Sequence, residues 1–224
     1  MAALHLNEKL MRFALFKGMG HAELAELVAR TRLDFSKHAP GGEIVHAGDV
    51  VRRLLLLLDG SLTVTTASAD MKCTVSEEAE APFIIEPERL FGLRQLAART
   101  FRAATTSSIV AIDKTEVARL CSESIAFRLN MLNLLATKAQ RQAGERWAAP
   151  PQDLRQRIAR FVESRCVSAS GRKTVTILME RLAAEVNDSR INVSRALRAM
   201  EEAGLVSLGR GRIDIPELGK LLTL

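Results

Sequence analysis

Cysteine is scarce in this 224-residue chain: Cys73, Cys121 and Cys166 stand far apart and are odd in number. No CxxC pair occurs, so neither a zinc ribbon nor a simple iron–sulfur cluster is signalled. The four histidines, His5, His21, His38 and His46, show no HxxxH spacing, and no metal site is expected of them. Catalytic signatures are missing too. There is no GxSxG, HExxH or P-loop, so the chain is not expected to be an enzyme and no catalytic residue is nominated. The longest purely apolar run is Leu54–Leu58. A membrane-spanning helix needs about 20 such residues, so no membrane partner is expected. Glu8, Lys9 and Arg12 interrupt any apolar core of a secretion signal at the start. The expectation is a cytoplasmic protein with reduced thiols.

Hydrophobic residues make up 47% of the chain and charged residues 26%, a balance that builds a globular core. The net charge is +6, and its excess is concentrated late: from Ala148 onward there are 13 Lys+Arg against 9 Asp+Glu. Eleven of those 13 are arginines, the side chain suited to bidentate contacts with phosphate and guanine. A solvated basic face is the plain alternative.

Three textures divide the chain, at 1–121, 122–147 and 148–224. In the first, a short helix over Ala22–Arg30 precedes strand-like runs at Glu43–Val45, Val50–Leu58 and Ser61–Thr65, separated by Gly-rich turns. That spacing predicts a β-sandwich or barrel, with Leu54–Leu58 buried on both faces. The second is a helix free of Gly and Pro until Gly144. Ile125, Leu129, Leu132, Ala136, Ala139 and Ala143 alternate four and three apart on it, the a/d seam of a coiled-coil homodimer. A single amphipathic helix packed on its own domain is the other reading. Ala148-Ala149-Pro150-Pro151 then reads as a hinge.

The third region carries the most specific pattern. Leu182 and Val186 share a helical face, Asn187 tolerates the left-handed conformation of a tight turn, and Asp188 or Ser189 caps a second helix. Val193, Leu197 and Met200 give that helix its buried face. Arg190, Ile191, Ser194, Arg195 and Arg198 fall on the other, beside Asn192. Gly204 ends it, and Leu205–Leu208 and Arg212–Ile215 are strand-like runs around Gly209-Arg210-Gly211. Two helices, a glycine stop and a basic hairpin predict a winged helix-turn-helix that enters the major groove of double-stranded DNA. Reuse of the motif as a protein-docking module is the alternative from another class; an acidic or neutral outer face would favour it.

These residues resemble the cyclic-AMP receptor protein / fumarate–nitrate regulator (CRP/FNR) superfamily. The motif Leu182-Ala183-Ala184-Glu185-Val186-Asn187-Asp188-Ser189-Arg190-Ile191-Asn192-Val193-Ser194-Arg195-Ala196-Leu197 carries the likeness. So do Glu201-Glu202-Ala203-Gly204-Leu205-Val206 and the β-roll-like stretches Pro40–Asp49 and Leu54–Val64. The resemblance spans about 12–218 and implies an α+β fold with a jelly-roll-like double-stranded β-roll sensor, a dimerisation helix and a winged helix-turn-helix. It implies a homodimeric transcription regulator that works with RNA polymerase. It places Ser189, Arg190, Ile191, Asn192, Ser194, Arg195, Arg198 and Arg210 at the DNA, with Arg190 and Arg195 on bases and Asn192 on the backbone. Ile191 stands where relatives often have Glu, so the half-site should differ from theirs.

In cyclic-nucleotide binders of the superfamily a Gly-Glu pair precedes an Arg by about ten residues. Here Phe91-Gly92 is followed by Leu93. The Arg position falls on Arg102 counting forward from Gly92, or near Ala97 with Arg99 close by counting back from Ile109–Ile112. The implied effector pocket, Phe91, Gly92, Leu93, Arg99 and Arg102, lacks the ribose acceptor, and cyclic AMP is not the expected effector. Haem or redox sensing would call on His46 or Cys73, each read as a surface residue. A small apolar effector, or none, fits best; the cofactor stays unassigned.

Overall fold

In the computed structural model the described residues are 2–147, 151 and 153–223. The elements run α1 (Ala2–Met11), α2 (His21–Ala29), β1 (Leu33–His38), β2 (Glu43–Val45), β3 (Arg53–Asp59), β4 (Ser61–Ala67) and β5 (Cys73–Glu80). Then come β6 (Phe83–Ile85), β7 (Thr100–Ala103), β8 (Ser107–Asp113), α3 (Lys114–Glu123), α4 (Ile125–Trp147) and α5 (Leu154–Glu163). The chain closes with β9 (Lys173–Ile177), α6 (Met179–Glu185), α7 (Arg190–Glu202), β10 (Ser207–Gly209), β11 (Arg212–Ile215) and α8 (Leu218–Leu222). This is the α+β class read from the sequence. Two compact units result, but their division is not the three-way one expected: residues up to Leu62 join Ala79–Arg146, while Thr63–Glu78 joins the chain from Trp147 onward.

In the first unit an antiparallel sheet runs β1-β8-β3-β6. Side chains alternate across a strand, so Leu54, Leu56 and Leu58 point to one face, where they pack with Leu10, Phe13, Leu24, Val117 and Leu120. Leu57 is buried as well, on the opposite face. The leucine run is therefore two-faced, as its composition predicts. The strand begins at Arg53, not Val50, because its partner ends there: Arg53 pairs Asp113, and α3 starts at the next residue. Val50 makes only an isolated bridge to Leu96. On the other side of the roll β2 pairs β7.

The long helix also differs from expectation at its start. Residues 114–123 form a separate helix, and Ser124 (φ −114°, ψ 116°) breaks the chain before α4. Its hydroxyl accepts from the Phe127 amide at 3.3 Å. Phe127 and Met131 are then buried, and the Phe127 ring lies 5.7 Å from that of Phe16. Asn130 Nδ2 donates to the carbonyls of Leu15 (3.0 Å) and Lys17 (2.8 Å), which fixes the same face of α4 onto the N-terminal segment. The helical start Ala22–Arg30 appears as α2, one residue earlier. Of the hinge, Ala148, Ala149 and Pro150 lie outside the described residues.

In the second unit the strands run β5-β9-β11-β10, with β4 beside β5. Strand β9 carries no sequence signal beyond the short alternation of Lys173-Thr174-Val175-Thr176-Ile177. The core gathers Ile158 and Val162 of α5, Val175 and Ile177 of β9, Leu182 of α6, Val193 and Leu197 of α7, and Leu218 and Leu221 of α8. Cys73 and Val75 belong to it too. Cys73 is thus a core residue rather than the surface residue expected, since its position on β5 faces the helices; burial pushes its thiol pKa up.

Phe127→Ala should destabilise the first unit by about 3–5 kcal/mol, the range for deleting a fully buried aromatic. Urea unfolding followed by circular dichroism measures this; a change under about 1 kcal/mol would mean the α4 face is not packed.

Candidate nucleic-acid interface

The helix-turn-helix is built by a sharp separation of faces. Helix α6 buries Leu182 and Ala183, and Val186 follows it into the core. Asn187 then takes φ +50°, the left-handed turn that an Asn tolerates. Of the two cap candidates the structure uses Ser189, whose hydroxyl accepts from the Asn192 amide at 3.1 Å. Helix α7 buries Val193, Leu197 and Met200 at i, i+4, i+7. It stops at a glycine: Gly204 (φ +70°) donates to Glu201 O at 2.8 Å and Leu205 to Met200 O at 2.9 Å, the two bonds of a Schellman cap.

Arg190, Ile191, Asn192, Arg195 and Arg198 are exposed, with Ser194 half-buried among them. Ile191 is 70% exposed, unusual for so large an apolar side chain. Arg190 pairs loosely with Glu180 on α6 at 3.4 Å, both exposed. Among the described residues neither Arg195 nor Arg198 pairs with a carboxylate. The result is one outward surface with two uncommitted guanidinium groups, the pattern that a polyanion would neutralise.

Two carboxylates hold this surface in place. Asp188, considered above only as a cap, is a junction: it accepts from Arg157 Nη2 at 2.6 Å, from Asn192 Nδ2 at 2.8 Å and from the Ser189 amide at 2.7 Å. Arg157 also donates to the carbonyls of Val186 (2.8 Å) and Asn187 (3.1 Å), which ties α5 to the turn. The hydrogen bond from Asn192, then those from the Ser189 amide and Arg157, keep the Asp188 carboxyl below the ordinary carboxylate pKa. Glu201 of α7 accepts from the Leu208 amide at 2.7 Å and so anchors β10. Strands β10 and β11 turn at Arg210-Gly211, with Gly211 at φ +68° and Arg210 exposed at the tip. Arg157 escaped the sequence reading because nothing on α5 marks it; only the fold brings it to the turn.

The residues nominated for an effector pocket sit in different surroundings. Leu93 is fully exposed, Phe91 lies under the Lys114 ammonium (5.1 Å to the ring centroid), and Gly92 turns the chain at φ +91°. Arg102 pairs with Glu43 at 2.6 Å on the surface. A cavity in this unit, about 230 Å³, is lined instead by Ile44, Val45, Val51, Leu55, Ile85 and Glu86, with Asp49, Val50, Arg52 and Arg53 at an exposed rim. Glu86 is 2% exposed and holds φ +36°. Its carboxylate accepts from the Ala98 amide at 2.9 Å and from Arg99 at 3.2 Å, the one nominated residue that reaches the cavity wall. Burial raises its pKa, against those two donors. His46 is exposed beside Glu43. Among the described residues no cluster of three or more His, Cys, Asp or Glu could hold a metal. No helix among them is long and apolar enough to cross a membrane.

On α4, Ile125, Leu129 and Leu132 are 65%, 53% and 56% exposed, and Ala136, Ala139 and Ala143 are exposed below them. The seam is thus a continuous uncovered stripe opposite the buried Phe127 face.

Residues 156–224 match the family of Crp-like helix-turn-helix domains. No curated protein matches the chain in sequence. Among solved structures, a transcriptional regulator of the crp/fnr family from Eubacterium rectale is similar, with a TM-score of 0.53 at 19% identity over 95% of this chain and 99% of that one. The catabolite activator protein of Thermus thermophilus gives 0.51 at 19% identity, over 94% and 97%. The sensor domain of the regulator DNR from Pseudomonas aeruginosa gives 0.53 at 16% identity, over 65% of this chain and 96% of that domain. At such identities these likenesses are of fold.

The depressed pKa of Asp188 fixes a sign. Its folded value lies below the unfolded one of about 3.9, so its stabilisation is complete above that pH and disappears as pH falls through the folded value. Asp188→Asn should lower the unfolding midpoint at neutral pH, and the gap to wild type should close in acid. A gap that is constant with pH would show that the carboxylate charge is not what holds the turn.

Proposed function

We propose that this chain of the CRP/FNR type, with its Crp-like helix-turn-helix domain, is a homodimeric transcription regulator that binds a two-fold symmetric operator through α7. The observation that carries the reading is the outward face of α7, where Arg195 and Arg198 stand exposed and without carboxylate partners among the described residues. A solvent-facing helix needs no such arrangement; a helix entering the major groove does. Arg190 and Arg195 suit guanine edges, Ile191 a thymine methyl, and Ser189, Asn192, Ser194, Arg198 and the wing-tip Arg210 the phosphates. A docking module for proteins is disfavoured by the basic character of that face. No GxSxG, HExxH or P-loop occurs in the sequence, and RNA polymerase is the partner such a regulator would engage.

The α4 stripe supports a parallel pair of helices with the alanines at the closer end. A dimer sets two recognition helices one helical turn of DNA apart, about 10 bp between half-site centres. A ligand would act by shifting this geometry through the segment that joins α4 to α5.

The effector is not cyclic AMP. The deeply buried charge of the cavity is the Glu86 carboxylate, and the residue ten positions on is Leu96 rather than Arg. A cyclic phosphate would meet a negative group whose guanidinium partner, Arg99 at 3.2 Å, is already committed to it. A small apolar or hydroxyl-bearing effector, or none, suits the lining.

Selection of bound duplexes from a random pool, followed by titration of the selected site, tests the assignment. Arg195→Ala should cost about 1–3 kcal/mol on that site if the side chain reads guanine. Binding as tight as wild type would remove α7 from the interface. Leu129→Glu should convert a dimer into a monomer in light scattering; an unchanged mass would move the interface off α4.

A further inference from the structure

The second unit is assembled from two separate stretches of chain, and the earlier one is not decoration. From Cys73 to Glu77, β5 runs antiparallel to β9 in an unbroken five-residue register, Cys73 opposite Ile177 and Glu77 opposite Lys173. On its other side β9 pairs β11, the second strand of the wing, from Thr176–Arg212 to Lys173–Ile215. Strand β9 is therefore central. Without β5 it would present an open edge of unpaired amides and carbonyls beneath the wing.

The register is locked by charge. The Lys173 ammonium is 1% exposed and meets the Glu77 carboxylate, equally buried, at 2.8 Å. A buried ion is held only by a partner and by further hydrogen bonds. Here both exist: Glu77 also accepts from the amides of Val167 (2.5 Å) and Ser168 (3.2 Å), and Lys173 donates to the Ser170 carbonyl at 2.8 Å. Glu77 thus closes the loop between α5 and β9. At the tip of the same hairpin Asp70 lies 3.5 Å from Arg181 of α6, the first helix of the helix-turn-helix. Both ends of the hairpin continue directly into the other unit, at Leu62 and Ala79.

We propose that Glu77 is a positioning residue for DNA binding: through it the hairpin 63–78 completes the winged-helix sheet and holds the wing in the shape that meets phosphate. The inference rests on the DNA-binding reading above. It makes the sensor half a contributor to the reading head by a strand, in addition to the helical connection through α4 and α5. Any displacement of the hairpin then changes DNA affinity.

The test uses the full chain. Glu77→Gln should weaken operator binding by at least about tenfold, within the usual span of coupling between linked sites, and should speed amide exchange at residues 173–177. Thr74 and Thr176 face each other across the two strands, at the separation that a disulfide bridges. Added to the Glu77→Gln chain, Thr74→Cys with Thr176→Cys should recover affinity on oxidation and lose it again on reduction. A chain that merely failed to fold would show no such recovery. Unchanged affinity in Glu77→Gln, or a closed disulfide that restores exchange protection but not affinity, overturns the proposal. A wild-type chain that bound no DNA would overturn it with the reading beneath it, and intact protection of β9 would distinguish that failure from loss of the strand.

Discussion

A buried ammonium must be met by a buried carboxylate, and in the second unit that requirement reaches from Lys173 back to Glu77, almost a hundred positions earlier. The pair sits where a strand from the first half of the chain joins a sheet made by the second half. Breaking one partner would leave an uncompensated charge in an apolar core, which is far costlier than loss of an exposed pair. The order of the strands follows from this lock. So does the inclusion of Cys73 and Val75 in a core otherwise made of α5 to α8.

On that sheet the helix-turn-helix is arranged by simple partition. One face of α7 supplies Val193, Leu197 and Met200 to the core, which leaves the arginines no direction but outward. Their exact aim is then decided by groups that are not themselves on the outer face. Arg157 braces the turn, Asp188 joins it to Asn192, and Glu201 anchors the wing strand to the end of the helix. Preorganisation of this kind removes freedom before a ligand arrives, so less is lost on binding.

The first unit applies the same physics to a different end. Its sheet is covered on one face by helices, and its cavity is walled by aliphatic side chains around one buried carboxylate. That carboxylate already takes an amide and a guanidinium from its own chain. The buried carboxylate is therefore committed within its own chain, and the aliphatic wall is balanced by the charged groups of Asp49, Arg52 and Arg53 at the rim.

Much of this was legible in order along the chain. The two-faced leucine strand, the heptad stripe of α4, the cap at Ser189, the turn at Asn187, the stop at Gly204 and the basic hairpin tip all follow from local periodicity and backbone preference. Those are properties of neighbouring residues, so a sequence states them directly. Contacts between distant residues are another matter. Glu86 is hidden in an unremarkable Glu86-Pro87-Glu88, while Gly92 and Leu93, which the family resemblance singles out, are turned to solvent by the fold. Nothing near Arg157 announces that it will reach the turn, and Cys73 gave no sign of burial. The assignment of 63–78 to the second unit is invisible in the sequence for the same reason. Strand β5 is not among those expected from the sequence, and which edge it completes depends on where a single buried charge finds its counterpart. Local periodicity is enough for the helix-turn-helix, the α4 stripe and the leucine strand; which elements pair is settled in three dimensions, because pairing depends on burial and charge across distances that local chemistry does not encode.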